Sequence, residues 1–307
     1  MLRLSCAGAI TALALGSIAL GQDQPQFKSE SELVVLHVLV TDRSGSYVSG
    51  LPASAFRVLD DSTPQTPRFF LNEDAPVTIG LLIDSSGSMR NVRDRVIAAA
   101  AEFVTSSNPR DEIFGLVFND DVQPVLRDTP FTSDAETLRH ALAEVFHPEG
   151  RTALYDAVSQ GLHYVANGTS ERRVLVVLSD GGDNASDASL KDVMTRVQTS
   201  NTVIYSVALA DPLDVDANPK RLRQLADASG GESFTPQNVD EVRSAFQKIA
   251  RDVRHSYTIG YEPASATPRT RFHKIRVEVK APDGRHLDVH SRSGYLKGRV
   301  DVRPDTR

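Results

Sequence analysis

The spacing of hydrophobic positions changes character twice along this chain. Residues 33–41 are an almost continuous run of β-formers, followed by an Asp42-Arg43-Ser44-Gly45 turn and a short return at Tyr47-Val48. Two further strands are predicted at 56–59 and 68–71, flanking a polar Asp-Asp-Ser-Thr-Pro turn, so the opening segment reads as a small antiparallel β unit. It ends at Asn72-Glu73-Asp74-Ala75-Pro76. Beyond Pro76, apolar runs alternate with helix-period segments. The run 77–83 predicts a buried strand, and 89–105, apolar at Val92, Val96, Ala99, Ala100 and Phe103, predicts an amphipathic helix. Strands are expected at 112–118, 122–126, 173–179 and 202–209. Helices are expected at 134–145, capped near Thr132 or Ser133, after Thr152 with Leu154, Val158, Leu162 and Val165 as the apolar face, and around 219–228 and 239–253. After Arg254 the pattern returns to strands, at 257–261, 272–280 and 286–290.

This alternation specifies an α/β fold over 77–254: a doubly wound, mostly parallel sheet with helices on both faces. A tight hairpin near Asn119 adds one antiparallel edge strand. Neither terminal β segment, 30–73 or 255–297, is long enough to bury a core alone. The expectation is that they pair into one small β module with the α/β domain inserted in it, leaving 298–307 as a polar tail.

Composition adds the setting. Residues 1–21 hold a single charge, Arg3, then an apolar stretch over 7–20 and the small-residue pattern Ala19-Leu20-Gly21, which reads as a cleaved signal peptide. The stretch is short of the roughly 20 residues a bilayer span needs, so no stable membrane span is expected after cleavage. Retention as an anchor is the alternative. Cys6 is the only cysteine and precedes the apolar stretch, so neither lipid attachment nor disulfides are expected. The location implied is secreted, periplasmic or cell-envelope. A formal charge of −6 without a basic cluster argues against nucleic acid as a partner.

Three segments carry candidate chemistry. Asp84-Ser85-Ser86-Gly87-Ser88 forms the turn between the strand at 77–83 and the helix that follows. Its carboxylate and two hydroxyls at alternate positions are hard oxygen donors of the kind Mg²⁺, Mn²⁺ or Ca²⁺ takes. Thr152 opens a helix, and Asp180 ends the strand at 173–179. Asp84 and Asp180 both terminate apolar strands, and ligands of open parallel sheets bind outside those carboxyl ends. Plainer readings exist for each: Ser86, Ser88 and Thr152 as helix caps, Asp180 as a turn former. Asp156 and Asp183 read as helix-start or turn carboxylates, or as supports of the donors.

Asp84-x-Ser86-x-Ser88, Thr152 and Asp180, in this order and on these elements, resemble the metal-ion-dependent adhesion site of von Willebrand factor type A domains. The whole frame is similar to secreted bacterial proteins in which such a domain is flanked by β segments. The resemblance implies that the two serines ligate the ion directly, that Thr152 joins when a ligand is bound, and that at least one Asp acts through water. It implies adhesion rather than catalysis: a bound divalent cation, Mg²⁺ first, captures an acidic side chain of a protein partner. Arg151 stands where the family often has Gly.

Other chemistries fit less well. No Gly-x-Ser-x-Gly elbow surrounds Ser86, His147 is the one histidine near the three segments in sequence, and no lysine completes a phosphate loop. His286, Asp288 and His290 share one face of a strand and read as its exposed polar side. A binding module is therefore the leading expectation. An envelope scaffold in which the ion only stiffens loops is the alternative, and a hydrolase the least favoured.

Overall fold

The computed structural model describes residues 33–72, 74–209, 216–263 and 272–297. The expected signal peptide and the tail lie outside them. Four strands lead the chain: β1 (Val34–Asp42), β2 (Phe56–Asp60), β3 (Thr63–Gln65) and β4 (Pro67–Leu71). The α/β region follows with β5 (Val77–Asp84), a 3-10 turn (Gly87–Val92), α1 (Arg93–Ser106), β6 (Glu112–Phe118) and β7 (Val122–Pro124). It continues through α2 (Ala135–Val145), α3 (Leu154–Val165), β8 (Arg172–Ser179), α4 (Leu190–Thr199) and β9 (Val203–Ala208), and finishes with α5 (Pro219–Ser229), β10 (Ser233–Phe234) and α6 (Val239–His255). β11 (Tyr257–Tyr261), β12 (Phe272–Val279), β13 (Leu287–His290) and β14 (Gly294–Leu296) close the chain.

The central sheet has the order β10-β9-β8-β5-β6-β7, parallel except for β7, which runs antiparallel at the edge beside β6. Every residue of β5 is buried, as expected of a strand covered on both faces. Successive side chains point to opposite faces. Ile79, Leu81 and Ile83 pack with α1, α2 and α6, while Leu82 joins Phe114, Leu175 and the apolar face of α3. The fold is thus the mixed α/β arrangement that the apolar pattern specifies.

Local details differ from the sequence reading. The helix after Ser88 begins as a 3-10 turn, and α-geometry starts only at Arg93. α2 is capped by Asp134, whose carboxylate accepts the Thr137 N–H at 2.9 Å, rather than by Thr132 or Ser133. α4 was not expected at all. It opens on a capping box in which Ser189 and Asp192 each accept the other's backbone N–H.

The terminal strands form two four-stranded sheets, β13-β1-β11-β4 and β14-β12-β2-β3, each combining strands from both chain ends. Leu36, Val38 and Val40 of β1, Val58 of β2, Tyr257 and Ile259 of β11, and Ile275 and Val277 of β12 share one core. The expected hairpin of residues 56–59 with 68–71 does not form. Asp61 and Ser62, with φ of 46° and 71°, instead turn β2 directly into β3, and β4 pairs with β11 in the other sheet. Two consecutive positive φ values make a tight hairpin turn, so the reversal comes before Pro64.

Polar side chains tie these sheets to the α/β core within one compact unit. Asn201 accepts the Val35 N–H at 3.1 Å and donates to the Leu33 carbonyl at 2.9 Å. Buried Arg292 donates to the Gln198 and Ser200 carbonyls at the end of α4, both at 2.8 Å. Among the described residues no helix is long and apolar enough to cross a membrane.

Candidate functional site

The parallel register sets the carboxyl ends of β5 and β8 side by side, with Ile83 opposite Leu178. Asp84 ends β5 with its side chain fully buried. One carboxylate oxygen accepts the Ser86 N–H at 2.9 Å, and the other accepts the Ser179 hydroxyl at 2.6 Å. Ser86 and Ser88 hydroxyls lie 3.0 Å apart, and the Ser88 hydroxyl donates to Asp180 Oδ2 at 2.7 Å. Asp180 Oδ1 is fixed by the Gly182 N–H at 2.7 Å. Four of the five expected residues, Asp84, Ser86, Ser88 and Asp180, are therefore brought together across two strand ends.

Thr152 lies on the loop before α3, two residues after Gly150, and this loop is bonded to the turn that carries Ser86 and Ser88. The Glu149 N–H donates to the Ser85 carbonyl at 2.9 Å, and the Gly87 N–H reaches the Gly150 carbonyl at 3.4 Å. The Thr152 N–H donates to Asn184 Oδ1 at 2.9 Å, and its carbonyl accepts the Asn184 and Ala185 N–H groups. Gly150 has φ of +76°, and a Cβ there would sit 2.2 Å from Asp120 Oδ2. The positive φ favours glycine at this position, and a side chain there would also have to displace the Asp120 carboxylate.

The capping roles can be compared with these contacts. Ser86 occupies the N-cap position of the 3-10 turn but makes no side-chain capping bond. Thr152 lies one residue ahead of Ala153, the N-cap of α3, which also lacks a side-chain cap. The hydroxyls are thus not used as helix caps. The late start of α1 at Arg93 also moves its N-terminus away from Ser88, so its dipole contributes less here than a helix beginning at Met89 would.

Burial pushes the Asp84 carboxyl up to about 7, against the opposing pull of the Ser179 and Ser86 hydrogen bonds, and neighbouring Asp180 pushes the same way. A positive charge placed among these oxygens would favour the ionised form. Two carboxylates and three hydroxyls are an all-oxygen donor set of the kind hard divalent cations accept.

Asp183 and Asp156 act as ties rather than as members of the cluster. Asp183 Oδ1 accepts the Ser186 hydroxyl at 2.5 Å and the Tyr155 N–H at 3.2 Å, and Asp156 accepts the Asp187 and Ala188 N–H groups at 2.8 and 3.0 Å. They secure the loop whose Asn184 holds Thr152. Arg151 lies on the rim, with its backbone N–H and Nε both donating to Asp120, at 2.9 and 2.6 Å. His147 is exposed and directs Nε2 at the Glu144 carbonyl, 2.8 Å away, rather than at a serine. His286 and Asp288 are exposed and 3.4 Å apart.

Sequence reasoning missed Ser179, Asp120 and Asn184. A serine at a strand end carries no signal of its own. Only the pairing of β5 with β8 reveals that Ser179 anchors the Asp84 carboxylate.

The profile of the von Willebrand factor type A domain matches residues 78–250, more than half of the sequence. The chain belongs to that family. Among solved structures, a von Willebrand factor type A protein from Catenulispora acidiphila aligns over 90% of this chain and 76% of its own, with 14% identity and a TM-score of 0.51. Proximal thread matrix protein 1 from the mussel byssus aligns over 64% of this chain and 51% of its own, with 16% identity and a TM-score of 0.50. An aerotolerance-related membrane protein from Bacteroides fragilis aligns over 58% of this chain and 98% of its own, with 16% identity and a TM-score of 0.47. The first two show the shared fold of the von Willebrand factor type A domain. No curated protein matches the sequence.

Proposed function

We propose that Asp84, Ser86, Ser88, Thr152 and Asp180 hold a divalent cation, Mg²⁺ first, with Mn²⁺ or Ca²⁺ suited to the same donors, and that the protein uses it to capture an acidic side chain of a protein partner. The observation that supports this best is the state of the serines. Ser86 sits where a capping hydroxyl belongs, yet it faces Ser88, which in turn bonds Asp180. Such an arrangement has no purpose in starting a helix, whereas convergent oxygens suit an ion. Three of the donors are neutral hydroxyls, so an ion bound here would keep enough positive charge to accept a partner carboxylate.

Binding without turnover is the chemistry this set supports. General-base activation needs a base within hydrogen-bond reach of a nucleophile. The Ser86 hydroxyl faces Ser88, His147 turns to the Glu144 carbonyl, and the carboxylates that do reach a serine hydroxyl, Asp180 at Ser88 and Asp84 at Ser179, belong to the proposed ion-binding cluster. The apolar leader with one positive charge supports a position outside the cytoplasm, secreted or in the cell envelope.

Capture of partner proteins from a surface fraction, with and without EDTA, tests the reading. Wild-type protein should retain a partner that both EDTA and Asp84→Ala release. Retention unaffected by either change contradicts ion-mediated capture and leaves a scaffold role.

A further inference from the structure

A cleft of about 600 Å³ lies beside the last turn of α6, bounded by Ser49 of the β1–β2 connection, Ser106 at the end of α1 and Asp74 ahead of β5. It stands at the end of β5 opposite the Asp84 cluster. Arg251, Arg254 and His255 face it from α6, at the three- and four-residue spacing that shares one side of a helix.

Basic residues in the last turn of a helix ordinarily serve its unpaired carbonyls. Here those carbonyls have other donors. The Asp252 carbonyl accepts the Ser256 hydroxyl at 2.5 Å, the Val253 carbonyl accepts the buried Arg172 guanidinium, and the Arg254 carbonyl accepts the Asp74 N–H at 2.7 Å. The two arginines are thus not drawn back to the helix end. The Arg254 guanidinium is 3.3 Å from Asp74 Oδ1, an oxygen that also accepts Asn108 Nδ2 at 3.2 Å. Exposed Arg251 reaches the Tyr47 hydroxyl, an uncharged partner. The ion pairs of α6 belong to Arg243, Lys248 and Arg254, and Arg251 has none among the described residues. Two guanidiniums against one carboxylate leave the cleft positive. The His255 ring stacks on Tyr47, centroids 4.7 Å apart, with Nδ1 3.5 Å from Ser49 Oγ, which leaves Nε2 for a ligand.

We propose that this cleft binds a phosphate monoester. A guanidinium fork matches phosphate oxygens, and a tetrahedral dianion with three acceptor oxygens can take donors from Arg251, Arg254 and His255 together. A carboxylate offers two oxygens and one charge. The space beyond the phosphate holds the organic remainder, which an inorganic ion would leave unfilled. A ligand here touches α6, the end of α1 and the β1–β2 connection at once, so its binding stabilises the folded chain.

Titration of the full chain with glycerol phosphate and with inorganic phosphate, in metal-free buffer at constant ionic strength, tests the proposal by calorimetry and by the phosphorus resonance of the ligand. The wild type should bind glycerol phosphate, and inorganic phosphate more weakly. Arg251→Gln, at an exposed position, should keep the wild-type melting temperature in phosphate-free buffer yet lose at least tenfold in affinity. Failure of the wild type to bind either probe overturns the site, and so does equal binding by Arg251→Gln and the wild type. Arg57→Gln, outside the cleft, controls for overall charge: a loss as large as that of Arg251→Gln also overturns it.

Discussion

Two residues show how burial governs behaviour at the smallest scale. Ser179 donates to Asp84 and accepts the Gly181 N–H at 3.0 Å, linking the carboxylate to the loop that carries Asp180. Ser179→Ala should therefore weaken Mg²⁺ binding about tenfold, the usual cost of losing an orienting partner, while leaving the fold intact. Titration calorimetry checks this, and unchanged affinity would remove Ser179 from the site. His37 on β1 is the second case. Burial, reinforced by the positive charges of Arg172 and Arg292, holds it down to about 3 in the folded protein. The folded state thus resists a proton that the unfolded chain accepts near 6.5. This contribution is full above pH 6.5, falls as the pH drops below it, and levels off near 3. Between pH 7 and pH 5 the wild type should lose about 2 kcal/mol more than His37→Gln. Asp84 and Asp111, raised by burial, drift the opposite way in both proteins and cancel in that difference. Parallel denaturation curves would contradict the assignment. Asp84 and Asp180 could be singled out in the sequence because they end strongly apolar runs, and Ser86, Ser88 and Thr152 because their spacing and order resemble the family's motif. Ser179 could not, because strand pairing alone gives it a partner.

Among the elements, long apolar strands and high-contrast helices were readable, and short ones were not. β5 and β8 declare themselves by runs of β-branched and leucine side chains, broken in β5 only by Gly80 and in β8 preceded by two arginines. α4 buries only Val193 and Val197, and its clearest signal is the polar Ser189-x-x-Asp192 box. Ser189→Ala should cost about 1 kcal/mol, measurable by urea denaturation. A negligible change would mean that tertiary contacts alone hold the helix start. The turn after β2 falls within the polar Asp-Asp-Ser-Thr-Pro segment that marked it, but the pattern did not convey where it leads: Asp61 and Ser62, both at positive φ, close a tight hairpin onto the three-residue β3, and β4 pairs with β11 instead. Arg292, on the short connection before β14, satisfies the last carbonyls of α4 as well as its own strand. Arg292→Ala leaves buried acceptors unpaired and should destabilise the protein by roughly 3 kcal/mol, read from the same denaturation curves. A loss below about 0.5 kcal/mol would show that water replaces the guanidinium.

For the whole molecule, the α/β order follows from the alternation of apolar periods, and the family profile and the two aligned structures agree with it. What alternation cannot convey is how β1 divides its pairing, with Val34 to Val38 against β11 and Leu39 to Asp42 against β13. Such long-range pairing depends on the complete core. The central claim, that the end of β5 and its neighbouring loops hold a divalent cation, has a global consequence, because an ion that binds only the folded state raises stability by mass action. The most direct measurement is the melting temperature of the wild type and the Asp84→Ala/Asp180→Ala variant across an Mg²⁺ titration. The wild type should gain about 2.7 kcal/mol of stability at one hundred times its dissociation constant, and the variant none. Equal stabilisation of both, or of neither, would contradict the account.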